Sequence, residues 1–338
     1  MPAEWEPHAA TWVAWPHQQD DWPGKFEAIP WVYTEIVRLL SQSEPVKILV
    51  HNELAVRATL EKQNPDWSRI TLIPLQTNRS WIRDYGPIFV RDEDGRQTVL
   101  DWQFNAWAKY DNWDADNRVT QQLAKLLDWR VSSPVAKGKR VVLEGGSIDV
   151  NGQGLLLTTE ECLLSPVQAR NPDFTRFEIE QVFADYLGVE KVLWLGRGIE
   201  GDDTHGHVDD LARFVSEDCI VTVVEKDESD PNYEPLRENL ERLQGMTDLA
   251  GEKLEIVPLP MPNPVFFDGQ RLPASYANFY VANTTVLVPT FNDPNDRAAL
   301  GRLQDLFPDR KVIGIHSVDL VWGFGTLHCL TQQQPLAS

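Results

Sequence analysis

Apolar residues recur at helical spacing in five stretches of the chain: 26–40, 119–127, 174–187 ahead of Gly188, 236–249, and 298–307 ahead of Pro308. The pattern predicts five amphipathic helices. Four of them are closely followed by a short apolar run with strand character, at 46–50, 191–195, 254–257 and 311–315. The second helix leads instead, through a basic loop, to a strand predicted at 140–143, and further strands are predicted at 70–73, 88–91, 155–158, 219–224 and 279–288. Helices alternating with strands indicate an α/β protein. After a longer first interval the helix starts return roughly every 60 residues, which is compatible with a five-unit repeat whose units share no visible identity. The Pro-rich stretch 258–264 reads as a rigid extended loop, and no linker-like run divides the chain.

Composition narrows the function. With 338 residues, 42% of them hydrophobic and 24% charged, the chain has ample material for a core. Its 51 acidic and 31 basic side chains give a net charge of −20, which excludes a nucleic-acid binder built on a broad basic face and favours a cationic or neutral small-molecule partner. The three cysteines, Cys162, Cys219 and Cys329, have no CxxC spacing and suit neither a disulfide framework nor a structural zinc site. They imply a reducing compartment. No basic-then-apolar leader and no stretch of ~18 apolar residues stands in the sequence, so a cytoplasmic protein without membrane contact is expected. Homo-oligomerisation is left open.

Four polar clusters sit among turn residues beside predicted strands. In Trp81-Ile82-Arg83-Asp84-Tyr85-Gly86-Pro87, Asp84 reads either as a turn residue or as a carboxylate aimed into a site. In Leu143-Glu144-Gly145-Gly146-Ser147, two glycines permit a turn closed to bulkier residues, with Glu144 at its edge. The run Gly201-Asp202-Asp203-Thr204-His205-Gly206-His207-Val208-Asp209-Asp210 concentrates titratable groups as functional sites do. It offers a two-histidine metal motif at His205 and His207, or a proton-transfer residue His207 with Asp209 as charge partner. In the fourth cluster, Trp322-Gly323-Phe324-Gly325-Thr326-Leu327-His328-Cys329, a thiol on a glycine-rich loop can reach a substrate, although a lone Cys is also a small buried hydrophobe.

Taken together, these clusters resemble the agmatine deiminase and Porphyromonas-type peptidylarginine deiminase family of the pentein superfamily. The resemblance spans nearly the whole chain. It rests on Met1-Pro2-Ala3-Glu4-Trp5-Glu6-Pro7-His8, the Asp84 and Glu144 clusters, Thr158-Thr159-Glu160-Glu161-Cys162-Leu163-Leu164, Gly206-His207-Val208-Asp209, Leu272-Pro273-Ala274-Ser275-Tyr276-Ala277-Asn278-Phe279-Tyr280 and His328-Cys329-Leu330-Thr331-Gln332-Gln333. It implies a five-bladed α/β propeller with pseudo-fivefold symmetry, formed as a single domain over residues 1–338.

The resemblance also implies a guanidine hydrolase that turns agmatine and water into N-carbamoylputrescine and ammonia, serving putrescine biosynthesis. Peptidylarginine or free arginine is the alternative substrate. By motif, Cys329 is the nucleophile, His207 the general acid and base, and Asp84 and Asp209 the carboxylates that fix the guanidinium. Glu144 is a further acidic contact and Trp81 a wall of the site. No metal or cofactor is implied. Three positions depart from the family pattern: His205 stands where Asp or Asn precedes the Gly-His, Phe324 replaces a glycine, and Thr326-Leu327 replaces the Asn-Ile of agmatine deiminases. Arg83 is the main cation of the site motifs and, as the neighbour of Asp84 on an extended segment, is expected to point away from it. Rival readings are a metal-dependent amidohydrolase built on His205 and His207, and a non-catalytic arginine- or polyamine-binding protein using the same carboxylates.

Overall fold

The computed structural model describes residues 1–92 and 94–337. Five sheets share one arrangement, in which a central strand pairs antiparallel with a short arm on one side and parallel with a second strand on the other. The first sheet orders Thr331–Pro335, His8–Ala14, Val46–Val50 and Ile70–Pro74. The second orders Ile88–Arg91, Gln97–Leu100 and Val131–Ser132, and the third Asp149–Val150, Leu155–Thr159 and Lys191–Leu195. The fourth orders Ala212–Phe214, Cys219–Val224 and Glu255–Pro260, and the fifth Tyr280–Val281, Thr285–Thr290 and Lys311–His316.

In every sheet a helix of nine residues or more crosses from the central strand to its parallel partner, preceded in the third by the short helix Glu160–Leu164. The longer helices are Ile29–Ser43, Val119–Leu127, Arg176–Leu187, Tyr233–Gly245 and Asp296–Leu306. They are the five that the apolar spacing predicts, with shifted ends. Thr175 closes a capping box with Glu178, so the third helix starts after Phe174, and Gly188 ends it in the left-handed conformation (φ 69°). The fourth stops at Gly245, short of Leu249. Four units take their antiparallel arm from the residues just before the central strand. The first takes it from the far end of the chain: Thr11 pairs with Gln333 and Val13 with Thr331.

Three expectations are corrected. The parallel partner in the second unit is Val131–Ser132, not 140–143. Lys139–Arg140 instead folds into a two-residue hairpin with Val135–Ala136 across Lys137 and Gly138, both at positive φ, and Val142 makes one isolated bridge to Gln103. Val141, Val142 and Leu143 are buried all the same, so the run is apolar for packing rather than for pairing. The stretch 279–288 is a hairpin of two strands, and the Pro-rich stretch begins inside the edge strand Glu255–Pro260, where a missing N–H is tolerated. Among the described residues no helix is long and apolar enough to cross a membrane.

Candidate active site

Each of four units delivers a functional candidate from the turn immediately before its antiparallel arm, and the chain end does the same for the first. Asp84 lies in the single helical turn Ile82–Tyr85 ahead of Ile88–Arg91. Glu144 caps the turn Gly145–Ser147 ahead of Asp149–Val150. His207 and Asp209 flank the start of Val208–Asp210, ahead of Ala212–Phe214. Cys329 precedes Thr331–Pro335, and Asn278 precedes Tyr280–Val281. Arms that occupy equivalent places in their sheets thus bring five separate turns to one point.

Gly146 marks that point. A Cβ there would lie 2.6 Å from His207 Nδ1, 2.8 Å from Asp84 Oδ1 and 3.0 Å from Asp209 Oδ2, so only glycine leaves room for the three to converge. Its backbone N–H donates to Asp84 Oδ1 at 3.1 Å, and Trp107 Nε1 donates to Asp84 Oδ2 at 2.9 Å. Trp107 reaches this place from a run of three left-handed residues, Ala106, Trp107 and Ala108 (φ 49°, 59° and 53°). Asp84 is held up to about 6 by burial and by the repulsion of Asp209 and Glu144, against the attraction of His207. Burial opposes ionisation of Asp209 too, but the His328 imidazole, bonded through Nδ1 to Oδ2 at 2.7 Å, keeps it below the ordinary carboxylate range.

His207 is buried, with Nδ1 3.8 Å from Asp84 Oδ1 and Nε2 3.6 Å from Glu144 Oε2, and neither ring nitrogen has a hydrogen-bond partner among the described residues. Burial alone would lower its pKa; Asp84, Cys162 and Glu144 outweigh that and hold it well above the ordinary value, as an imidazolium. Its backbone is pinned by Asp202, whose Oδ2 accepts from the N–H groups of Gly206 and His207. The Cys329 thiol is pushed up by burial and then by Asp209, Asp210 and Asp84, and is therefore neutral in the empty site. Asn278 donates from Nδ2 to Cys329 Sγ at 3.2 Å and to Asp210 Oδ1 at 3.1 Å, while its own oxygen accepts from Thr326 Oγ1 at 2.8 Å.

A cavity opens onto Cys329 and Asp84. Trp81, Gly323, Phe324 and Gly325 form one wall; at Gly325 a Cβ would come within 2.9 Å of Trp81 and 3.1 Å of Cys329 Sγ. Phe324 occupies a left-handed position (φ 67°), a conformation that costs roughly 1 kcal/mol for a residue other than glycine. Asp20, Asp21, Asp203, Tyr110 and Arg79 also line it, Asp20 exposed and Asp21 buried. His207, Asp209 and Glu144 lie behind the lining rather than in it.

The structure separates the other candidates. His205 turns at φ 63°, and its ring faces Ser165 Oγ (3.1 Å) and Glu161 (3.9 Å), so the two-histidine metal pair is not assembled. Glu144, Cys162 and His207 could each offer one atom to an ion, but both Glu144 oxygens are already bonded by Arg170 Nε at 3.1 and 3.2 Å, and a cation there would meet that guanidinium. Arg83 does point away from the cavity, toward Glu4 and Gln333. The reason is not the one expected: it stands in a helical turn, not an extended segment. The cation that lines the cavity is Arg79, paired with Asp21 and Asn112. Asn278, Arg170 and Trp107 carry contacts that the sequence reading did not assign. Asn278 alone had a usable signal, its place before the arm of its unit.

A thiol beside a buried imidazolium and two carboxylates can add to an electrophilic carbon of a cation and protonate what leaves. Comparison with known proteins places the chain among such enzymes. The model of the Porphyromonas-type peptidyl-arginine deiminase family matches residues 1–335. A structure of agmatine deiminase from Enterococcus faecalis catalysing its reaction is 36% identical with a TM-score of 0.91, over 100% of this chain and 96% of that one. A Cys-to-Ser variant of C. jejuni agmatine deiminase with substrate bound is 31% identical with a TM-score of 0.89, again over 100% and 96%. SxtG, an amidinotransferase from Microseira wollei, shares only the fold, at 12% identity and a TM-score of 0.52, over 100% and 98%. The chain belongs to the Porphyromonas-type peptidyl-arginine deiminase family.

Proposed function

We propose that this chain is an agmatine deiminase, hydrolysing the guanidinium of agmatine to N-carbamoylputrescine and ammonia in the cytoplasm. The observation that carries the reading is the convergence of Cys329, His207, Asp84 and Asp209 beneath a cavity with an acidic lining. A guanidinium is planar and permanently charged, and carboxylates on fixed turns suit it better than a metal would. Asp84 and Asp209 hold it, Glu144 adds to Asp84 in keeping His207 charged, and Trp81 covers its face. The five sheets are read as the blades of one pseudo-fivefold propeller, a single domain over residues 1–338.

Substrate binding places a cation beside Cys329, offsets the carboxylates that hold the thiol neutral, and releases its proton to solvent. The thiolate adds to the guanidinium carbon. His207 gives its proton to one nitrogen, which leaves as ammonia and yields a covalent thiouronium. The now neutral His207 takes a proton from water as the water oxygen bonds to the same carbon. Collapse expels the Cys329 thiolate and leaves the ureido product, and the proton lost from the carbonyl oxygen converts ammonia to ammonium.

Incubating the protein with agmatine, arginine and a peptidyl-arginine in parallel, with colorimetric assay of ureido product, tests activity and substrate together. Turnover of none of the three overturns the reading.

A further inference from the structure

Glu4 lies outside the cavity, yet it is tied to the reaction centre through one imidazole. His328 Nε2 meets Glu4 Oε2 at 2.8 Å, and His328 Nδ1 meets Asp209 Oδ2 at 2.7 Å. All three side chains are buried. A carboxylate only accepts, so the two bonds form together only when both ring nitrogens carry hydrogen. The same Glu4 oxygen receives Arg213 at 3.0 Å and Arg83 at 3.3 Å, and Glu4 Oε1 accepts from the Val281 N–H at 2.8 Å. Asp209 is thereby held by one oxygen, Oδ2, 3.8 Å from Cys329 Sγ, while Oδ1 has no partner among the described residues.

We propose that Glu4 is a positioning residue that acts through His328 to keep Asp209 ionised and its Oδ1 turned free for the substrate cation. The proposal rests on the reading that Asp209 contacts the guanidinium. Other titratable and charged groups face the relay from neighbouring elements. Arg213 and Arg83 face Glu4, and Asp149 is bonded to Arg213 at 2.8 Å. On the other side His207 faces Asp209, with Asp84, Asp210 and Cys329 adding their influence from neighbouring turns. Without the Glu4 charge, the His328 ring has one carboxylate acceptor instead of two, its hold on Asp209 Oδ2 weakens, and Asp209 takes up a proton at higher pH.

The test compares Glu4→Gln and Glu4→Asp with the parent on agmatine. The glutamine variant should lower kcat about tenfold or more, with the acid limb of its pH profile moved upward and steepened as Asp209 joins Asp84 in titrating there, and Glu4→Asp should recover part of both. Wild-type kcat and an unmoved acid limb, with lowered thermal stability alone, would overturn the relay. The ¹⁵N signals of His328 in the parent protein provide a readout independent of activity and of the variants' folding. Both nitrogens should appear protonated, as the two carboxylate contacts require, and a ring with one bare nitrogen would overturn the proposal even if the deiminase reading stands. Conversely, a parent protein inactive on every guanidine with a doubly protonated His328 would sink the functional reading and, with it, any catalytic role for the relay.

Discussion

The chemistry is set at single side chains, and two of them give sharp tests. Cys329→Ser should abolish turnover while agmatine binding stays within about tenfold, because a hydroxyl is a far poorer nucleophile and the carboxylates are untouched. Measurable product from that variant would remove the covalent route. Asp84 is the carboxylate bonded by both Gly146 and Trp107 and held up to about 6 by burial and its acidic neighbours. It must be ionised to hold a guanidinium, so kcat/KM should climb as pH rises through about 6 in the free enzyme. Asp84→Asn should lower kcat/KM by ~10² or more, about 2.7 kcal/mol, and remove that limb. An unaltered limb in the variant would assign it to another group. Asp210, despite its proximity in sequence, is engaged by Asn278, and Asp202 is spent on the backbone of the His207 turn, so neither offers a free carboxylate to a substrate.

Elements decide whether those side chains meet, and the turn before each antiparallel arm is the critical element. Gly146→Ala would place a methyl group within 3.0 Å of His207, Asp84 and Asp209 without touching a strand. Activity should fall by ~10² or more with the circular-dichroism spectrum unchanged, and near-parental activity would mean the turn is slack. This level also shows what the sequence makes legible. Amphipathic spacing reveals all five crossover helices because each buries one face against its sheet. The closing strand Thr331–Pro335 escapes it, since Gln332, Gln333 and Gln334 are buried by hydrogen bonds to Pro87, Arg83 and Trp12 rather than by apolar character. The same holds in the site. Asp84, Glu144, His207, Asp209 and Cys329 stand out as clusters of chemistry-bearing types, whereas Asn278 looks like an ordinary turn residue until its position before an arm is compared with the other four. Arg170 and Trp107 act across gaps of 26 and 23 residues, on Glu144 and Asp84, and no local pattern announces such pairs.

At the scale of the whole molecule, charge chooses among guanidines that the chemistry would treat alike. Agmatine lacks the α-carboxylate of arginine and carries two positive charges to a protein of net charge −20. The cavity lining includes Asp20, Asp21 and Asp203. Its cation Arg79 is committed to Asp21 and Asn112, and Lys109, outside the lining, is paired with Asp203. Among the described residues that line the cavity, no free cation waits for a carboxylate. An α-carboxylate about 8 Å from one unbalanced acid, in partly desolvated surroundings, is repelled by roughly 2 kcal/mol before screening. That is a factor of about 30, so agmatine should exceed arginine by ~10-fold or more in kcat/KM. Part of the preference is long-range steering of a dication toward an acidic cavity, and this part should weaken as added salt shortens the Debye length from ~10 Å at 0.1 M. Measuring kcat/KM for agmatine, arginine and a peptidyl-arginine across ionic strength separates the two contributions. A ratio that favours agmatine and shrinks with salt supports the electrostatic account, and one that favours agmatine but ignores salt moves the discrimination to short-range contacts within the cavity. Equal or higher kcat/KM for arginine or the peptide would overturn agmatine as the substrate and leave the guanidine chemistry at Cys329 in place.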